Sequence, residues 1–389
     1  MKHWQVGLAA ASIFTGIESI QAFSHSLVSQ LASSPGATQI VSPEVASDRR
    51  VTFRLNAPDA TKVEVVQLAP SPSQGAQPDA VTLPMSRERG IWTATSPPLS
   101  PDIYSYRFSV DGKLINDPAN AAVIEEFRTS TSKISIPGVL WTNAEPASGT
   151  VARQKYASPT MNADEDYLVY TPPGYDPSSS ERYPVLYLLH GLGDGAASWI
   201  TNGGIDLTLN NLIAQRRAKP MVVVTPMSAG RDRMGLSAAA FEKILFDELI
   251  PRVEREYHVS RDRATRALAG VSVGGAQAMS IGMRRTDMFT SLGLFSVSFG
   301  TMVLTPGLPD PRQLQLDLSP LRLVFLGSGT AEQATLEASR AFSQSLQAKG
   351  LRVLTVEVKG QGHVWPVWRQ VFGDFVQSLF QEPTALARR

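Results

Sequence analysis

The sequence predicts two folds in series: a small all-β sandwich, then a larger α/β domain whose mostly parallel sheet is covered by helices on both faces. Three observations carry that prediction. Between Arg50 and Gly112 short alternating runs are separated by turn residues, with no helical stretch between them. From Tyr167 onward, strand-like and helix-like segments take turns. Within that second region, Arg266 to Arg285 joins an apolar strand to a helix through the sharp turn Gly270-Val271-Ser272-Val273-Gly274.

A chain of 389 residues is too long for one ordinary domain and suits two with connections. It is 43% hydrophobic and 18% charged, enough apolar residues for large cores, which excludes a disordered chain. The net charge of +1 gives no electrostatic case for nucleic acid or an anionic membrane. With no cysteine, disulfides, thiolate metal sites and a cysteine nucleophile are excluded. Lys2, the apolar stretch Val6 to Ile17 and a small-residue exit near Ala22 have the form of a secretory signal, and an amphipathic N-terminal helix is the other reading. No apolar run reaches the roughly 20 residues of a membrane span. The chain therefore divides into a signal segment (1–22), a tether (23–47), a sandwich (48–129), a Ser/Thr/Pro-rich linker (130–159) and an α/β domain (160–383).

In the sandwich region, Val51 to Leu55 and Lys62 to Val66 alternate polar and apolar residues. Ile91 to Thr95 follows the turn Arg89-Gly90, and Ile103 to Val110 ends at Asp111-Gly112. In the second region, Tyr167 to Thr171 reads as a strand, stopped by Pro172-Pro173-Gly174. Val185 to Leu189 is a continuous apolar run, as a central parallel strand requires. Ile205 to Arg216 reads as a helix, Met221 to Thr225 as a strand, and Ala238 to Glu256 as an amphipathic helix with Phe241, Leu245, Leu249 and Val253 on one face. Strands near Leu292 to Phe295, Leu321 to Leu326 and Arg352 to Val358 follow, with helices at Ala334 to Lys349 and Val367 to Phe380.

The strand, G-x-S-x-G turn and helix around Ser272 form a nucleophile elbow, which makes the second region an α/β-hydrolase fold. The glycines have a mechanical reason. The serine backbone is strained, and a Cβ at Gly270 or Gly274 would strike the neighbouring strand or helix. An activated serine needs a base to take its proton and an acid to orient that base, in the chain order serine, acid, histidine. Of five histidines (His3, His25, His190, His258 and His363) only His363 follows Ser272, in a glycine-flanked loop after the last strand.

The acid belongs in the loop after the strand Leu321 to Leu326. Asp287 follows the elbow helix, Asp310 and Asp317 precede the strand, Glu337 is within a helix and Glu357 on the last strand. Glu332 is left, with a helix-start glutamate facing the helix dipole as its alternative role. The anion cradle needs backbone N–H groups, one from Val273 and one from the glycine-dense loop His190 to Gly195, at Leu192. His190 is then structural. No metal spacing, phosphate loop or dinucleotide fingerprint occurs, so no cofactor is expected.

Two resemblances add to this reading. Phe53 to Val63 (F-R-L-N-A-P-D-A-T-K-V), Tyr104 to Gly112 and Asp117 to Asn120 (D-P-A-N) resemble the immunoglobulin-like early-set domain that precedes the catalytic part of branching enzymes and many secreted carbohydrate esterases. That resemblance implies possible glycan binding, for which Trp92, Tyr104 and Tyr106 would form a platform unless they are core. Tyr183 to Gly191 (Y-P-V-L-Y-L-L-H-G), Pro172 to Tyr175, G-V-S-V-G-G and G-H-V-W-P-V-W resemble the feruloyl esterase, enterochelin esterase and mycolyltransferase group of α/β-hydrolases. The resemblance implies Ser272 as nucleophile, His363 as base and Glu332 as acid, although that branch usually carries Asp at the acid position.

The activity so implied is secreted serine ester hydrolysis on carbohydrate or plant-wall polymers, with a small-molecule or polysaccharide acyl ester as partner. Siderophore ester hydrolysis and mycolyl-type acyl transfer use the same machinery. A catalytically inactive carbohydrate-binding protein is the alternative from another class. Trp199 and Trp365 flank the catalytic loops as candidate substrate contacts, with Trp368 suited equally to the core. Arg231 and Arg233 are candidate substrate contacts or solvated charges.

Overall fold

In the first domain, alternation along short strands builds two facing sheets. β1 (Glu44–Val45), β2 (Val51–Asn56), β5 (Ser86–Glu88) and β6 (Ile91–Thr95) form one sheet in the order β1-β2-β6-β5. β4 (Val81–Pro84), β3 (Val63–Pro70), β7 (Asp102–Val110), β10 (Thr129–Ile136) and β9 (Val123–Glu126) follow in that order in the other, with β8 (Lys113–Ile115) paired to β7. The computed structural model describes residues 40–70, 80–127, 129–144, 147–228, 238–297 and 316–381. The expected signal segment, most of the tether, Arg231 and Arg233 lie outside them.

The inward positions Val51, Phe53, Leu55, Val63, Val65, Tyr106 and Phe108 fill the space between the sheets. The aromatic platform is not there. Trp92, Tyr104 and Tyr106 are buried, and their polar atoms are used internally. Trp92 Nε1 donates to the Ala57 carbonyl (2.9 Å), Tyr104 Oη to that of Ser100 (3.1 Å), and Tyr106 Oη to Asp117 (2.6 Å). The D-P-A-N motif is a buried polar knot: Asp117 also accepts from Ser42 (2.6 Å), and Asn120 Nδ2 donates to Tyr106 Oη (3.1 Å). Burial pushes the Asp117 carboxyl up, against these donors.

The stretch read as a linker is mostly sheet. β10 supplies the sandwich with a strand whose inward residues are Ser132, Ile134 and Ile136. β11 (Thr150–Ser158) pairs along its whole length with β12 (Ala163–Thr171). Both were disguised by composition. β10 carries hydroxyl residues where apolar ones are usual, and the edge strand β11 is mostly exposed. The tether is shorter than expected too, because β1 already belongs to the first sheet.

The second domain is an eight-stranded sheet in the order β11-β12-β14-β13-β15-β16-β17-β18, with β13 (Val185–Leu189), β14 (Val222–Pro226), β15 (Arg266–Val271), β16 (Ser291–Phe295), β17 (Leu323–Gly329) and β18 (Val353–Val358). The last six strands are mutually parallel, and the first two are antiparallel. Because helices cover both faces, β13 to β16 are buried at every position. One core holds Phe241, Leu245 and Leu249 with Met279 and Phe342; the other holds Trp199, Trp365, Trp368, Phe372 and Phe375. The chain leaves β13 for β14 on one side and returns for β15 on the other. That reversal is a topological switch point, where loops part and ligands bind at the carboxyl ends of strands.

The domains are locked by a buried cation. Arg369, fully buried on the helix Trp365–Ser378, donates to Asp102 of β7 (2.7 Å), to the Asn202 carbonyl (2.9 Å) and to Asn202 Oδ1 (2.9 Å). Trp141 Nε1 donates to the same Asp102 oxygen (2.7 Å). A guanidinium out of water requires such full pairing. No helix among the described residues is long and apolar enough to cross a membrane.

Candidate active site

Ser272 sits between β15 and the helix Val273–Arg284 with φ 55° and ψ −118°, a left-handed conformation costly for a non-glycine residue. Its N–H is held by the Phe295 carbonyl of β16 (2.8 Å), and its carbonyl accepts from Ala276 N (2.9 Å). The expected role of the glycines holds. A Cβ on Gly270 would lie 2.5 Å from the Gly274 carbonyl carbon, and one on Gly274 would lie 2.4 Å from the His190 oxygen. Strand, helix and neighbouring loop approach closely only because both side chains are absent.

Glu332 and His363 come together at the ends of β17 and β18. His363 Nδ1 is 2.6 Å from Glu332 Oε2, while Glu332 Oε1 accepts from Ser296 Oγ (2.7 Å) and Gly329 N (2.9 Å). Burial pushes the Glu332 carboxyl up, but the donors His363, Gly329 and Ser296 outweigh it and hold it below the usual range. An ionised carboxylate only accepts, so Nδ1 carries the hydrogen that bridges to Glu332. The helix-start reading of Glu332 is half right: it precedes the helix Gln333–Ala348, but its carboxylate makes no cap bond there and turns to His363.

The two loops are laced together. Ala331 N donates to the Gln361 carbonyl (2.8 Å), Thr330 N to that of Val358 (2.9 Å), and Gly360 N to Thr330 Oγ1 (2.8 Å). Gly329 makes this approach possible, since a Cβ there would be 2.1 Å from the Gln361 oxygen.

The loop after β13 lies against the elbow. A Cβ built on Gly191 would be 3.7 Å from Ser272 Cβ. His190 is structural, as expected: Ser228 N donates to Nε2 (3.1 Å), so Nδ1–H faces the Gly191 carbonyl (2.8 Å). Burial pulls the His190 pKa down to about 4, which keeps the ring neutral. Asp194 in the same loop is buried too, and burial with the nearby Glu126 carboxylate pushes it up to about 8. Val273 is the first helical residue, so its N–H has no partner within the helix. Leu192 lies at the exposed crest of the glycine loop.

Trp199 and Trp365 are not substrate contacts in this arrangement. Both have 0% exposure and pack edge to face with each other at 5.1 Å. Trp199 Nε1 is committed to the Leu189 carbonyl (3.0 Å). Their size and indole geometry serve the layer under the sheet. Trp368 is also core, but with a second task that the sequence did not suggest. Its Nε1 donates to Ser296 Oγ (3.0 Å), and its ring meets His363 edge-on at 5.0 Å. Ser296, at φ 45°, carries no signal in the sequence, because a serine after a strand has no distinguishing neighbours in the chain. Among the described residues no group of three or more His, Cys, Asp or Glu side chains is placed to hold a metal.

The family model described as "Putative esterase" matches residues 158–379, more than half of the chain. The chain belongs to that esterase family. The model for Carbohydrate-binding module 48 (Isoamylase N-terminal domain) matches residues 38–121, in agreement with the early-set resemblance. An endo-1,4-beta-xylanase/feruloyl esterase of Xylanibacter ruminicola is 31% identical over 352 residues, 87% of this chain. This chain spans 46% of that protein, less than half its length. Among solved structures, a ferulic acid esterase is 25% identical with a TM-score of 0.54, covering 59% of this chain and 98% of its own. The enterobactin esterase of Shigella flexneri is 19% identical with a TM-score of 0.59, covering 85% of this chain and 93% of its own. Their shared architecture is an α/β-hydrolase domain, here preceded by a β-sandwich.

Proposed function

We propose that this family member is a serine esterase that removes acyl groups from carbohydrate or plant cell-wall esters, of the feruloyl or acetyl type. The observation that supports this reading is the Glu332 carboxylate held against His363 and anchored by Ser296, the residue after the Phe295 whose carbonyl holds the N–H of the strained Ser272. In the proposed reaction His363 Nε2 takes the hydroxyl proton as Ser272 Oγ attacks the ester carbonyl. The oxyanion forms against the N–H groups of Val273 and Leu192. Collapse breaks the bond to the alcohol oxygen, which receives the proton from His363, leaving an acyl-serine. Water then enters, gives a proton to His363 and releases the acid, with the proton returned to Ser272. Glu332 stays ionised throughout and stabilises the transient imidazolium.

The xylanase/feruloyl esterase relative supports the carbohydrate side of the reading, as does the carbohydrate-module match. The two-domain extent of the enterobactin esterase likeness makes a siderophore-type ester the second reading. The sequence features of residues 1–22 support export to the periplasm or beyond. The deciding experiment offers the purified chain feruloylated and acetylated xylo-oligosaccharides, a catecholate triester and a glycolipid acyl donor. The reading expects release of ferulate or acetate, lost in Ser272→Ala. Preferential cleavage of the catecholate ester, acyl transfer to a glycolipid, or glycan binding without turnover would each overturn it.

A further inference from the structure

Arg369 is the meeting point of three separate parts of the molecule. Its Nη1 donates to Asp102 of the sandwich strand β7 (2.7 Å), and its Nε and Nη2 donate to the carbonyl and Oδ1 of Asn202 (2.9 Å each). The residue before it, Trp368, donates to Ser296 Oγ (3.0 Å) and meets the His363 ring edge-on. We propose that Asp102 is a positioning residue for the acid and base of the other domain, acting through Arg369 on Trp368. The proposal rests on the esterase reading for the reaction that this positioning serves.

Asp102 is built as an anchor. Its Oδ1 accepts from Arg369, from Trp141 Nε1 (2.7 Å) and from Ile103 N (2.8 Å). The surrounding backbone leaves little slack. A Cβ on Gly204, at φ 60°, would lie 2.7 Å from the Trp141 oxygen and 3.1 Å from Ile103 Cδ1. Asp102, Asn202 and Arg369 are all buried, so water does not compete for these bonds.

The shape of the cation turns that anchor into a constraint. A guanidinium donates in a fixed planar fork, so its three bonds set both the rotation and the axial position of the helix Trp365–Ser378 where Arg369 leaves it. A lysine ammonium would keep the charge without the three directions. Trp368, one residue away, inherits that setting. From its indole the bonds continue from Ser296 Oγ to Glu332 Oε1 (2.7 Å), and from Glu332 Oε2 to His363 Nδ1 (2.6 Å). The same helix begins two residues after His363. A shift of this helix therefore moves the histidine at its start and the anchor of the acid together. Asn202 closes the short helix Ser198–Thr201, whose Ser198 Oγ accepts from Gly195 N (2.8 Å), so the same cation also braces the foot of the glycine loop. On this account the sandwich is part of the catalytic unit and not an independent appendage.

The test is a double-mutant cycle on the full chain, with kcat and KM read on a small p-nitrophenyl acyl ester. Asp102→Ala is expected to lower kcat roughly tenfold with KM within about twofold, because reacting groups are misplaced while no substrate contact is lost. In a Trp368→Phe background, where the bond to Ser296 is already gone, the same substitution is expected to cost less than about threefold. A purely structural role would give losses that add. An unchanged kcat in Asp102→Ala, or a loss of equal size in both backgrounds, overturns the proposal. Should Asp102→Ala not fold, Arg369→Lys, which keeps the charge but not the fork, takes its place with the same outcomes. Should the unaltered chain hydrolyse no ester, the esterase reading is what fails. Crystal structures of the unaltered chain and the variant then decide the positioning alone. A separation of His363 Nδ1 from Glu332 Oε2 opened beyond about 3.2 Å in the variant supports it, and an unchanged separation overturns it.

Discussion

Glu332 meets His363 with one carboxylate oxygen and Ser296 with the other, at 2.6 and 2.7 Å. The side chain thus spans an imidazole and a hydroxyl anchor, and its length reaches both. This gives a physical reason for glutamate rather than aspartate at this position. The acid reaches from the start of a helix, and one methylene fewer would leave either Ser296 or His363 without its partner.

Glu332→Gln is therefore expected to lower kcat by on the order of 10⁴-fold, because the amide favours the wrong imidazole tautomer and cannot stabilise the imidazolium. Glu332→Asp, though a conserved charge, is expected to lose activity as well, by a smaller factor. Steady-state rates on a p-nitrophenyl acyl ester measure both, and full activity in Glu332→Asp would refute the length argument.

Ser296 is a positioning residue for that carboxylate, held in turn by Trp368. In Ser296→Ala, Glu332 loses one of the donors that hold its pKa below 4.5, so the carboxyl rises. The sign follows. A depressed carboxylate contributes function and stability above its unfolded pKa and loses them as pH falls through the folded value. The acidic limb of the kcat profile is predicted to move to higher pH, with KM little altered. A uniform drop at all pH values would indicate a packing defect instead. Trp368→Phe, which removes the donor but keeps an aromatic ring, should shift the limb the same way by less.

Gly329→Ala places a methyl group 2.1 Å from the Gln361 backbone oxygen, which cannot swing aside as the end of a side chain would. The loops that must yield are the ones carrying Glu332 and His363. Activity is expected to fall by at least about 10²-fold, the penalty of misplacing reacting groups by an ångström. Thermal unfolding should move only a few degrees. An active, stable variant would show that the loops are not fixed by this contact.

Asp194 gives a prediction about stability and pH. Its carboxyl rises from 3.8 unfolded to about 8 folded, through burial and then Glu126. A raised acid contributes stability fully below 3.8 and loses it as pH climbs towards 8. Asp194→Asn cannot ionise, so its melting temperature relative to the unaltered chain should rise across that interval and level off above it. A difference independent of pH would mean that the carboxyl is ionised in the folded state.

The parts of this architecture with a strong local signature were legible in the chain. The five apolar residues of β13, the glycines around Ser272 and the late, glycine-flanked His363 each announced their place, because close packing and strained turns restrict residue type. What escaped depended on contacts remote in sequence. β10 and β11 read as linker since Ser, Thr and exposed polar residues make strands only when a partner strand is present. Trp199 and Trp365 looked like ligand contacts by proximity to catalytic loops, yet their side chains point into the layer beneath the sheet. Ser296 and Gly329 carry no motif at all. Their roles exist only once β16, β17 and β18 lie side by side.

The central claim is that Ser272 forms the covalent intermediate. Intact-protein mass spectrometry after acid quench, during turnover of a slowly deacylated aryl ester, tests it directly. The account predicts a single acyl adduct, mapped by peptide analysis to Ser272 and absent from Ser272→Ala. Turnover with the adduct on another residue, or sustained hydrolysis by Ser272→Ala, would contradict it.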